Sequence, residues 1–126
     1  MNAWSHLPNA VHIDRVLASL KANHEEWGAT WQAALHAARD MAWHAARQAV
    51  RQAVRDTAWH AALDAAINAT WDGIWDALVA LIAWDDCAHL LDSEPEHVKL
   101  LAALGVESAI LLYPACLVFS KEKELA

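Results

Sequence analysis

Three side chains, His36, Asp40 and His44, follow one another at intervals of four. On an α-helix that interval stacks side chains on one face. An imidazole–carboxylate–imidazole run at i, i+4 and i+8 offers the donor types that hold Zn²⁺ or a similar transition ion. His60 and Asp64 repeat part of the pattern. A second constellation is cationic: Arg47, Arg51 and Arg55 form a ridge at the same interval, with Trp43 and Trp59 at its ends and Arg39 beyond Trp43. Guanidinium groups in a row can bind phosphate, a nucleotide or an acidic protein surface, and a neighbouring indole adds a cation–π contact. The third is Asp85-Asp86-Cys87-Ala88-His89, which sets a thiol near an imidazole, the pairing that generates a thiolate nucleophile.

Each constellation also has a purely structural account. The His/Asp stripe coincides with a register that holds Gln and Asn as readily, which is what a solvated helix face requires. The arginines can pair with acids of the second half of the chain, Asp56 and Asp64 among them, and lay their stems on Trp. Cys87 and His89 are two residues apart, so on a helix they diverge, and both Cys87 and Cys116 suit small core positions. The chain contains no His-Glu-x-x-His motif, no Gly-rich phosphate loop, no dinucleotide-binding fingerprint and no assignable Ser/His/Asp set. Catalysis is therefore the least supported function, and no cofactor is expected.

The elements that must position these groups come from a four-residue repeat between Trp27 and Ile82. One register runs Trp27, Trp31, Leu35, Arg39, Trp43, Arg47, Arg51, Arg55, Trp59, Leu63, Ile67, Trp71, Trp75, Val79. The next is polar, from Gln32 through His44, Gln48, Gln52, His60 and Asp64 to Asp72 and Asp76, and the remaining two are mostly Ala. A strict period of four drifts about 40° per repeat against the 100° turn of an α-helix, so one straight helix cannot keep one face buried. Residues 24–91 as a single helix would also reach about 100 Å, against a radius of gyration of about 14 Å for a compact chain of this size. Breaks are expected at Asp56-Thr57, at Asn68-Ala69-Thr70 and at Asp40. Outside the repeat, Asn9, Asn23, Ser93 and Ser108 suit helix N-caps, the Ser93-Glu94-Pro95-Glu96 run as a capping box. Gly105 suits a helix end, and Pro114 should kink the last helix.

Composition agrees. Of 126 residues, 57% are apolar, yet 29 are Ala, and eight Trp stand against one Tyr and one Phe. Three Gly and three Pro are too few for an all-β chain, and the apolar fraction is too high for disorder. The expectation is one all-α domain over residues 1–126, a bundle of about five to seven helices with the apolar C-terminal helix at its centre. Ala supplies flat surfaces, Trp the knobs that fill them, and leftover apolar surface suggests a homo-oligomer. The net charge of −7 is uneven: residues 1–55 carry six cations against four acids, and residues 56–120 carry one cation against ten acids. That balance argues against general nucleic-acid binding. The acidic face (Asp72, Asp76, Asp85, Asp86, Asp92, Glu94, Glu96) reads as solvated surface or as a mimic of nucleic-acid phosphates toward a basic partner. The longest apolar run, Ala109 to Phe119, is eleven residues, short of the roughly 17–25 that span a membrane. With two cysteines and no signal-peptide pattern, a cytoplasmic location is expected.

Three segments carry a resemblance: the opening His12-Ile13-Asp14-Arg15-Val16-Leu17, the Leu81-Ile82-Ala83-Trp84-Asp85-Asp86-Cys87-Ala88-His89-Leu90-Leu91 stretch, and Leu111-Leu112-Tyr113-Pro114-Ala115-Cys116. With the Ala/Trp tetrads between them, they make most of the chain similar to a group of small uncharacterised Ala/Trp/Asp-rich helical proteins of bacteriophages and prophages. The resemblance implies a phage or mobile-element context, hence the cytosol of a host bacterium, and no catalytic residues. The leading expectation is a non-enzymatic interaction protein binding a host or phage macromolecule. The alternatives are a bundle holding a nucleotide-like anion at the Arg47–Arg51–Arg55 ridge between Trp43 and Trp59, and a metal-binding protein using His36, Asp40 and His44.

Overall fold

In the computed structural model, residues 4–34, 40–53, 57–68 and 76–125 are described, and among them every regular element is helical. Seven α-helices occur there: α1 (Ala10–Ala22), α2 (His24–Ala34), α3 (Asp40–Ala53), α4 (Thr57–Asn68), α5 (Asp76–Ala83), α6 (Pro95–Ala103) and α7 (Glu107–Leu125). A 3-10 turn, Ala88–Asp92, lies between α5 and α6. Of the expected breaks, Asp40, Thr57 and Asn68 are ends of described helices, while Asp56, Ala69 and Thr70 lie outside the described residues.

The apolar pattern explains the layering. In α1, Ile13, Val16 and Leu20 recur at three- and four-residue intervals and are fully buried, a single stripe facing inward. Residues 76–82 of α5 are buried on every side, as an all-apolar helix following one acid must be. In α7, residues 109–116 are all buried, and α2, α3, α5, α6 and the 3-10 turn all pack against this helix. The C-terminal helix is thus the central one. Because α2, α3 and α5 each touch α7, the tetrad region wraps around it, as the drift of a four-residue period requires. Trp27 sits fully buried where α2 meets α7, its ring edge-on to Phe119 at 6.1 Å and its Nε1 donating to Ser19 Oγ of α1 at 2.9 Å.

The polar register behaves as a solvated stripe at Gln32, His44, Gln48, Gln52, His60, Asp64 and Asn68, all exposed, but Asp76 ends it inside the protein, 3% exposed. The acidic face therefore loses Asp76 to the interior, and Asp72 lies outside the described residues. Asp92 is exposed but already paired, bidentate with Arg15 at 2.9 Å and with Lys123 at 3.3 Å. That Arg15 hydrogen bond holds the Asp92 carboxyl below the usual carboxylate range.

Capping chemistry is redistributed. Asn9 precedes α1, but its side chain makes no bond to that helix; Nδ2 donates instead to the carbonyls of Leu81 and Trp84, both at 2.9 Å. These carbonyls are at the C-terminal end of α5, where no further N–H exists to satisfy them. The expected capping box at Ser93 does not form either. Glu94 is the N-cap residue, and Ser93 Oγ donates backward to the carbonyl of His89 at 2.8 Å. The last helix begins at Glu107, one residue before the expected cap Ser108. Gly105 does end α6, at φ +86°, with Val106 N–H bonded to Leu101 O and Gly105 N–H to Ala102 O, the two bonds of a Schellman motif. Helix α7 runs continuously through Pro114, which withholds the N–H that the Ile110 carbonyl would otherwise receive.

Asn9 therefore acts as a donor to α5. Asn9→Ala should cost about 2 kcal/mol by leaving the buried Leu81 carbonyl unsatisfied and the part-buried Trp84 carbonyl with only the weak Cys87 thiol as donor. Asn9→Asp, a good N-cap residue in itself, should be at least as damaging because it removes both donated bonds. Denaturant melts of the two variants check this; an Asp variant as stable as the wild type would restore the α1 cap.

Candidate functional site

The sequence places Trp43 and Arg47 one turn apart on α3, and α5 opens with Asp76. The fold brings them together. Arg47 donates through Nε to Asp76 Oδ1 at 3.0 Å, with a second guanidinium nitrogen 2.9 Å from the same oxygen. The other oxygen, Oδ2, receives Trp43 Nε1 at 3.0 Å and Trp31 Nε1 of α2 at 3.2 Å. The guanidinium carbon of Arg47 also lies 3.8 Å above the Trp43 ring, and the Trp31 and Trp43 rings meet edge-on at 6.3 Å. Burial pushes the Asp76 carboxyl above the usual carboxylate range, while the Arg47 charge and the indole and guanidinium hydrogen bonds pull it back down. Asp76 was legible only as a member of the solvated register. The signal pointing inward was indirect: indole N–H groups that become buried require acceptors.

The cationic ridge is therefore divided. Arg47 stacks on Trp43 and pairs with an acid of the second half, as the structural account expects; that acid is Asp76, and Asp56 lies outside the described residues. Arg51 projects into solvent and has no ion pair or hydrogen bond among the described residues. Arg55 and Arg39 lie outside the described residues. Trp59 has other partners: its Nε1 donates to the carbonyl of Ile82 at 3.0 Å, and its ring meets His6 edge-on at 5.6 Å.

Beside the ridge, α3, α4 and α5 enclose a groove of about 310 Å³. One wall is polar, formed by His44, Arg47, Gln48 and Arg51, which fall on one face of α3. The floor is aliphatic: Val50, Leu63, Ile67 and Val79. A larger groove of about 440 Å³ runs between α2 and α7, where Lys121 pairs with Glu26 at 2.7 Å.

Of the metal-ligand candidates, His36 and the Asp40 side chain lie outside the described residues, and His44 is exposed with its ring 5.0 Å from that of Trp43. Among the described residues no three His, Cys, Asp or Glu side chains gather closely enough to hold a metal ion. The thiols are buried. Cys87 donates weakly to the carbonyls of Ala80 and Trp84, and burial together with Asp86 and Asp85 pushes it up to about 12. Cys116 faces the Ser93 carbonyl at 3.3 Å and is pushed up to about 11, chiefly by burial. His89, two residues on, is exposed, so the two side chains diverge as their spacing implies. Neither sulfur is a thiolate near neutral pH, so neither serves as a ready nucleophile.

Two outcomes test this geometry. An amide at position 76 offers one acceptor oxygen to two sets of donors and leaves Arg47 without its countercharge. Asp76→Asn should therefore lose about 3 kcal/mol, read as a lower denaturation midpoint. Both cysteines should resist a thiol reagent at pH 8 in the folded protein and react in denaturant; rapid labelling of the native state would refute their description as buried thiols. Compared with protein-family models, curated proteins and solved structures, the chain matches none, so its side chains alone carry a functional reading.

Proposed function

We propose that this is a non-enzymatic interaction protein of the phage type its sequence resembles, acting in the host cytosol and binding a host or phage protein through the outer edge of α6. The observation that carries the reading is where apolar surface remains. Among the described residues four large apolar side chains are exposed, and three belong to one place: Leu100 (58%) on α6, Leu104 (72%) one turn on at its C-cap, and Val106 (39%) just past its end. Burying Leu or Val side chains contributes about 1.5–3 kcal/mol each, so a chain that buries the rest of its core leaves these uncovered at a cost in solubility.

The surroundings indicate the partner's chemistry. Residues 85–107 carry six acids against one cation, Lys99. Glu96 lies one turn before Leu100 on the same helix face. An apolar segment with basic residues at its rim would complement that edge, the acids steering the approach and the leucines holding the complex. The burial of both thiols, and with it the loss of the one nucleophile candidate, also supports binding over catalysis.

Replacing both leucines, Leu100→Glu with Leu104→Glu, should leave the fold intact because both are exposed. The wild type should capture a saturable partner from host lysate, and the double variant should retain at most a tenth of that capture. Absence of any saturable partner overturns the proposal. So does a wild-type dimer that the double variant turns into a monomer, since the edge would then serve a second copy of the chain.

A further inference from the structure

The groove between α3, α4 and α5 combines features that a solvated helix face does not need. Its aliphatic floor includes Leu63 and Val79, both buried in the core, and reaches the half-buried Ile67. Its wall carries two guanidinium groups in different electrostatic states. Arg47 is neutralised by Asp76, 2.9 Å away, while Arg51 brings a positive charge with no counter-ion among the described residues. The volume, about 310 Å³, is at the small end of ligand pockets. We infer that this groove binds a small organic monoanion with an aliphatic body, of the medium-chain carboxylate class, its head on Arg51 and Gln48 and its chain along Leu63, Ile67 and Val79.

The same geometry disfavours a nucleotide. Among the described residues the imidazole of His44 is the one ring lining the groove, and no indole lines it. Trp43 offers one ring face to Arg47 and its N–H to Asp76, and Trp59 donates to Ile82, so neither is placed to sandwich a base. One guanidinium without a counter-ion among the described residues matches one negative charge, whereas a polyphosphate calls for several. A carboxylate takes that guanidinium in a bidentate fork, and the methylenes gain from the apolar floor. This site is independent of the α6 edge, and either can fail without the other.

Calorimetric titration of the wild-type protein with acetate, butyrate, hexanoate and octanoate tests the assignment. Affinity should rise about fourfold for each methylene that the floor covers, about 0.8 kcal/mol per CH₂. Arg51→Gln, an exposed position that the fold does not depend on, should weaken octanoate at least tenfold, while Lys121→Gln in the other groove should leave it unchanged. Any of four results overturns the inference: no octanoate binding, equal binding of acetate and octanoate, equal binding of octanol and octanoate, or tighter binding of AMP. Loss of octanoate binding in Lys121→Gln would also overturn it, by moving the ligand to the groove between α2 and α7.

Discussion

A carboxylate with both oxygens occupied by donors from two other helices sets how this bundle closes. Asp76 joins α5 to α3 through Arg47 and Trp43 and to α2 through Trp31. Ionised, it would be prohibitive to bury alone; with a guanidinium and two indole N–H groups it becomes a specification of register, because two of those donor side chains come from one stripe of α3 and the third from α2. Turning α3 by one residue would withdraw Arg47 and Trp43 together, since they occupy the same stripe. The cluster therefore selects one arrangement among the many that flat, Ala-rich helices would otherwise permit.

The same demand recurs at three further indoles. Trp4 donates to Asp14, Trp27 to Ser19 and Trp59 to the Ile82 carbonyl. Each bond crosses between elements or between a loop and a helix, so the large ring supplies area while its single N–H supplies direction. This gives the Trp-for-other-aromatics bias a physical purpose. Phe would fill the space left by Ala without fixing how the helices turn. The central α7 is apolar through residues 109–116, and its polar bonds to other elements lie mainly beyond that stretch, Lys121 with Glu26, Glu122 with Ser19 and Lys123 with Asp92.

Much of this was legible in residue spacing. The all-helical class, the central C-terminal helix, the need for breaks in the tetrad region and the Gly105 terminus all follow from periodicity and backbone sterics. The caps were legible as residue types but not as bonds. Asn9 and Ser93 carry side chains suited to helix starts, yet each bonds an end that comes from elsewhere: α5 for Asn9, the preceding 3-10 turn for Ser93. A capping side chain bonds whichever orphan group it reaches, and the groups Asn9 reaches, on Leu81 and Trp84, are distant in sequence.

The chain itself therefore determined where bulk, charge and small residues recur, because helical geometry converts spacing into faces without outside help. Which face meets which was decided by tertiary structure. Asp76 and Asp64 occupy equivalent slots of one repeat, but Asp64 stays in water and Asp76 enters the core. Arg47 and Arg51 are likewise equivalent in spacing and opposite in fate, one neutralised against Asp76 and the other left to a groove. The difference arises because ionisation is tolerated in the interior only where donors from distant segments converge, and that convergence exists only once the helices have packed.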